Sequence, residues 1–142
     1  QAALVRLLCA RQAMVDYRAL IGRQWEYGKQ DCFSLLRDYY ARIGVEIPDF
    51  PRPKSLSNVE SIFLKHAHAV GFERVLFDDR LLHDVLIMRL GTKNPMHAAI
   101  YVGDDKILHQ RMNGLSAVEP LGRYYRSSVA AVFRHATCHA GR

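Results

Sequence analysis

The hydrophobic period changes once along this chain, at Gly71, and that change constrains the fold most. Before it, apolar residues recur at three- and four-residue spacing; after it, the spacing falls to two. Residues 1–21 read as a first helix, carrying Leu4, Leu7, Leu8, Tyr17, Leu20 and Ile21, with Gly22 placed to end it. A second helix starts at Asp31 or Cys32. Its apolar face holds Cys32, Leu36, Tyr39 and Ile43, widened by Leu35 and Tyr40, and Gly44 closes it. Residues 57–70 read as a third, with Ser57 and Glu60 as a capping box and Val59, Ile62, Phe63, Ala67 and Val70 as the stripe. Between the last two, residues 45–56 hold Pro48, Pro51 and Pro53 and read as an extended loop along one side of a cleft. Beyond Gly71, strands are expected at residues 72–76, 84–90, 97–102, 106–110 and 129–134. Turns fall at 103–105 and 113–114, a helical turn at 124–127, and a loose tail at 135–142. Helices followed by strands give an α+β fold, with an antiparallel sheet packed against the N-terminal helices.

At 142 residues the chain reads as a single domain, 1–142, with room for one core. It starts without methionine, which points to a processed chain or to the C-terminal domain of a longer one. No apolar run approaches the roughly 20 residues of a membrane span, so no membrane partner is expected. A net charge of +6 fits either an anionic partner or plain solubility. Lysines and arginines are scattered, with no interleaved aromatics, which argues against nucleic acid. The cysteines are Cys9, Cys32 and Cys138. Their odd number argues against a full disulfide framework. A Cys9–Cys138 bridge is one reading and a reducing compartment of synthesis the simpler one.

Chemistry concentrates where the aromatic loop Trp25-Glu26-Tyr27-Gly28 runs into Asp31-Cys32. A cysteine at a helix N-terminus sits where partial positive charge favours the thiolate. Asp31 as N-cap turns its carboxylate onto the N–H of Phe33 or Ser34, and so opposes that thiolate less than a free carboxylate would. Cys32 has two readings, a core cysteine or a nucleophile. The second needs a base, an orienting group and an oxyanion site. His97 and His109 fit the first two needs if the intervening turn has three residues, Gly103 to Asp105. His109 then lies opposite Ala99, diagonal to His97 and on its face. A two-residue turn would put the histidines on opposite faces. The N–H groups of Cys32, Phe33 and Ser34 fit an oxyanion site, and Trp25 or Tyr27 an added donor or groove wall. His83, His135 and His139 carry no partner signal in the sequence and read as surface. His66 and His68, two apart on a helix, share no face. Asp78-Asp79 with His83-Asp84 reads as a solvated turn and not a metal site.

These residues resemble the NlpC/P60 family of cysteine peptidases, which have a papain-like fold. The likeness rests on Tyr27-Gly28, Asp31-Cys32, the run His97-Ala98-Ala99-Ile100-Tyr101-Val102-Gly103, His109 twelve positions after His97, and the strand start Asp84-Val85-Leu86. It spans most of residues 20–134. Within the family the chain is most similar to the tail-tip assembly branch of lambda-like phages, through Trp-x-Tyr-Gly-x-x-Asp-Cys and Pro-Asp-Phe-Pro-Arg-Pro. The resemblance implies cleavage of peptidoglycan peptide stems, typically D-γ-glutamyl to meso-diaminopimelate, with Cys32 as nucleophile, His97 as base and His109 as orienter. It implies no metal or cofactor, and tail-tip proteins as partners. It implies a virion tail tip assembled in the host cytoplasm and acting in the periplasm. The chain departs from the family pattern at Phe33-Ser34, where Ser-Gly is usual, and at His83, where Gly is usual.

Overall fold

The computed structural model describes residues 14–54 and 61–139. A 3-10 turn at Arg18–Leu20 precedes helix α1, Cys32–Ile43. A short helix α2, Ile62–His66, leads into β1, Phe72–Val75. Then come β2, Val85–Met88; β3, His97–Tyr101; β4, Lys106–His109; and β5, Ala117–Pro120. Helix α3, Arg123–Ser128, and strand β6, Val129–His135, follow, with a last 3-10 turn at Ala136–His139. The six strands pair antiparallel in the order β1-β6-β2-β3-β4-β5.

All four residues of β2 are buried, because both faces of this central strand are covered. Val85 and Ile87 join Ala98, Ile100 and Leu108 against α1, where Leu35, Leu36, Tyr39, Tyr40 and Ile43 bury. The alternate residues, Leu86 and Met88 with Ala99, Ile107 and Val132, pack beneath Leu121 and Tyr125 at α3. Gly44 ends α1 at φ +88°, the left-handed geometry its sequence position calls for.

Five expectations need correction. The first helix falls mostly on residues 1–13, outside the described residues. In its described part only the 3-10 turn forms. Asp16 accepts from the backbone N–H and the guanidinium of Arg18, a local bond that competes with a helical ladder. The Ser57–Glu60 capping box also lies outside the described residues. The described helix opens instead at Ser61, whose extended backbone breaks any helix running through it and whose hydroxyl accepts from Leu64 N–H. The tail beyond 134 is not loose as far as residue 139. His135 is buried and packs edge-on to Phe72 at 5.0 Å. Its Nε2 lies where a Cβ on Gly71 would approach to 2.8 Å, so glycine is required there for space as well as for φ +97°. Cys138 is buried and disulfide-bonded, against the expectation of reduced thiols, while Cys9 lies outside the described residues.

His83 is the fifth. It is fully buried and not a surface residue. Its φ of +80° is the conformation glycine adopts freely. Bonds from α1 hold it. Tyr39 Oη lies 2.7 Å from His83 Nδ1, and Tyr40 Oη donates to the His83 carbonyl. Next to it, Asp84 receives both Nε and Nη2 of Arg134, at 3.0 and 2.8 Å, with the two side chains 1% and 3% exposed. Asp84→Leu would strand a buried guanidinium. We expect a loss of about 3–5 kcal/mol, read as a lowered urea midpoint with an unchanged m-value.

Candidate active site

The site is built on the start of α1. Cys32 is its first residue, and Asp31 caps it from an extended backbone. Asp31 Oδ1 accepts from Ser34 N–H at 3.0 Å and from the Ser34 hydroxyl at 2.9 Å. Its Oδ2 accepts from Gly28 N–H at 2.9 Å, drawing the aromatic loop onto the helix end. Arg52, from the proline loop, donates Nε to Oδ2 at 2.8 Å and Nη2 to Oδ1 at 3.0 Å, and lies over the Phe33 ring at 4.8 Å. Burial alone would raise the Asp31 carboxyl. The Arg52 guanidinium and the Ser34 and Gly28 N–H groups outweigh it and hold the carboxyl below its ordinary value.

Cys32 is half-buried, and its Sγ lies 3.7 Å from the carbonyl oxygen of Met96, the residue before His97. Burial pushes its thiol up to about 12. The N–H groups of Ala98 and Phe33 and the charge of Arg52 favour the thiolate without overcoming that cost. His97 opens β3, and burial drives its imidazole down to about 3, with the charges of His109 and Arg111 adding to the effect. The resting site is therefore a neutral thiol in one cleft with a neutral imidazole. This overturns the expectation of an acidic thiol at the helix end, because the desolvation of Cys32 outweighs the helix-end field.

The turn between β3 and β4 has three residues. Val102 N–H donates to Lys106 O at 3.1 Å, and Ala99 faces His109 across the ladder. This is the register that puts the two histidines on one face. His97 Nε2 lies 2.9 Å from His109 Nδ1, with the rings nearly perpendicular at 74°. Asp104 and Asp105 take positive φ, and Gly103 does so beside them, which lets so short a loop close.

A cleft of about 320 Å³ holds Cys32 and His97 together, with Trp25, Tyr27, Arg52 and Arg111 along it. Trp25 and Tyr27 stack at 6.1 Å. The Tyr27 hydroxyl donates to the Pro53 carbonyl, so it pins the proline loop and is not directed at an oxyanion. The Ser34 N–H is likewise taken by Asp31, which leaves Asp31 and Ser34 as the cap. Phe33 is buried between Phe50 and Phe63, at 5.9 and 5.6 Å, while its N–H bonds toward Cys32.

Two residues of the site escaped the sequence reading. Arg52 had only its place in a loop expected to border the cleft. Glu119 sits on β5, a four-residue edge strand ending in proline that carries too few alternations to be read. Its Oε2 meets His109 Nε2 at 2.5 Å and accepts from Tyr125 Oη at 3.0 Å. Burial would raise the Glu119 carboxyl, but His109 and Tyr125 hold it below its ordinary value. Burial lowers the His109 imidazole, and Glu119 recovers part of that shift.

The chain is similar to known proteins over most of its length. The pattern of the NlpC/P60 family matches residues 22–134. Tail tip assembly protein K of Escherichia phage lambda is 35% identical over 117 residues, covering 82% of this chain and 59% of that protein. Among solved structures, NlpC2 from Trichomonas vaginalis superposes with a TM-score of 0.62 at 16% identity, over 94% of this chain and 47% of its own. The peptidoglycan hydrolase RipB from Mycobacterium tuberculosis gives 0.56 at 16% identity, over 95% and 66%. The two structures show a shared fold.

A neutral resting thiol should alkylate slowly. Iodoacetamide labelling at Cys32, followed by peptide mass, should keep rising through the ordinary thiol value of 9.0 without a plateau. A plateau below neutral pH would show a preformed thiolate.

Proposed function

Because the chain belongs to the NlpC/P60 family, we propose that it is a cysteine peptidase that hydrolyses peptide-stem bonds of bacterial peptidoglycan from a phage or prophage tail tip. The observation that carries this reading is the shared cleft, with Cys32 at a helix start and a hydrogen-bonded His97–His109 pair. The bond that fits the family resemblance is D-γ-glutamyl to meso-diaminopimelate. Both residues carry carboxylates, and Arg52 and Arg111 line the cleft.

The reaction begins with proton transfer from Cys32 Sγ to Nδ1 of His97, the ring nitrogen not engaged by His109. The Sγ–C bond forms as the carbonyl oxygen takes up the negative charge. The N–H of Cys32 and the indole N–H of Trp25 are the donors suited to that oxygen, since the Tyr27 hydroxyl is held by Pro53. Collapse of the intermediate breaks the C–N bond, and the imidazolium of His97 protonates the departing amine. Water then attacks the thioester and gives a proton to His97; the C–S bond breaks, and the imidazolium returns that proton to the leaving thiolate. Carboxylate product and free thiol leave the site as it began. His109 orients His97 throughout. The chain's own residues perform every step, without metal or cofactor.

The likeness to a tail tip assembly protein supports a second role in the same particle, as a structural or assembly component contacting other tail-tip proteins. The chain spans 59% of that relative's length. Assembly in the host cytoplasm and action in the periplasm fit both roles. Complementation of tail assembly by Cys32→Ala separates them.

Two measurements test the catalytic reading. Cys32→Ala should release no cleaved stem peptides from purified peptidoglycan while keeping the wild-type circular dichroism. Muropeptide masses identify the bond, and would expose an amidase or acyltransferase instead. The acid limb of kcat/KM should fall below the ordinary imidazole value of 6.5. Burial disfavours protonated His97, so the base stays unprotonated into acid. An acid limb at or above that value would refute His97 as the buried base.

A further inference from the structure

We propose that Glu119 is a positioning residue that sets the tautomers of both histidines, selecting Nδ1 of His97 as the nitrogen that receives the thiol proton. This deepens the peptidase reading above and rests on it.

The geometry comes from the pleat. His97 on β3 is diagonal to His109 on β4, through the pair Ala99–His109. His109 is in turn diagonal to Glu119 on β5, through the pair His109–Ala117. Two successive diagonals on one sheet face bring three side chains into a line. The contacts along it are 2.9 Å from His97 Nε2 to His109 Nδ1 and 2.5 Å from His109 Nε2 to Glu119 Oε2.

The direction of the line follows from what each end is able to do. An ionised carboxylate only accepts, so the proton between it and His109 resides on His109 Nε2. Neutral His109 then carries its lone pair on Nδ1. It accepts there, so the proton between the rings sits on His97 Nε2. His97 is left with its lone pair on Nδ1. Without an acceptor at position 119, His109 is free to hold its proton on Nδ1 and donate to His97 Nε2. That would protonate His97 at Nδ1, the nitrogen that must be empty.

The surroundings suit a fixed anion. Tyr125 Oη donates to the same carboxylate oxygen at 3.0 Å, and its ring stands edge-on to His109 at 5.1 Å. Arg111 Nε lies 3.5 Å from it and is more than half exposed. His109, Tyr125 and Arg111 are the titratable groups facing Glu119, and each favours the carboxylate. The Glu119 side chain is itself 29% exposed, at the sheet edge, so its replacement leaves the core intact.

The test uses Glu119→Leu and Glu119→Gln in the protein. Ring ¹⁵N shifts should show His97 and His109 as Nε2–H tautomers in the wild type. In Glu119→Leu the Nδ1–H form should appear at both, with kcat reduced about 10- to 100-fold, as for the loss of other residues that orient an imidazole, and KM unchanged. In Glu119→Gln, whose amide oxygen still accepts, the tautomers should persist. Its acid limb should move to lower pH, because the lost carboxylate favoured protonated imidazole. Unchanged tautomers in Glu119→Leu would overturn the proposal, as would kcat within twofold of wild type. If the wild type releases no stem peptides, the peptidase reading fails by itself, and the tautomers still decide the role of Glu119.

Discussion

The structure depends on the Asp31 carboxylate. Its two oxygens hold three segments at one point: Gly28 of the aromatic loop, Ser34 of α1 and Arg52 of the proline loop. Each of those segments contributes a wall or a reacting group to the cleft. The ion pair is nearly dry, with side chains 6% and 8% exposed, so its two charges are compensated geometrically and not by solvent. An N-cap, usually a local device worth about 1 kcal/mol, here also sets the tertiary position of the candidate nucleophile. The charge of Asp31 still opposes a thiolate at Cys32, and Arg52 offsets only part of that opposition.

The second constraint is the length of one turn. A three-residue loop keeps His97 and His109 on one face, and a single residue fewer would separate them. Since the side-chain period of a strand is two, the same parity carries on to Glu119 on the next strand. A line of three polar side chains on a sheet face otherwise packed with Leu86, Met88, Ala99 and Ile107 is costly unless every member is bonded. Here each is, and the line ends at a partly exposed carboxylate that meets Tyr125 and Arg111. Burial then explains the neutral resting state of Cys32 and His97. The same desolvation acts on both, raising one and lowering the other.

Legibility from the sequence was uneven in a way that follows from range. Asp31 as cap, α1 from Cys32 to Gly44, and the β3–β4 register rest on neighbours within a dozen positions, and they were readable. His83 and His135 were misread as surface. Nothing local announces Tyr39 and Tyr40, some 43 positions away, or a glycine at 71 that leaves room for an imidazole. Arg52 and Glu119 were missed because each acts through one long-range contact from a segment with no periodicity of its own. The acidic thiol expected at the helix end was a local inference that burial reversed.

By itself the sequence determined α1 with the cap before Cys32, the strands after Gly71 other than β5, and the spacing that allows His97 and His109 to meet. Those are consequences of backbone period, turn length and side-chain chemistry, which act along the chain. Only the tertiary structure decided the protonation states, the partner of Asp31, the carboxylate behind His109 and the seat of His83. Each of these is fixed by desolvation or by a contact between residues far apart in sequence, and neither quantity exists until the sheet and α1 have packed.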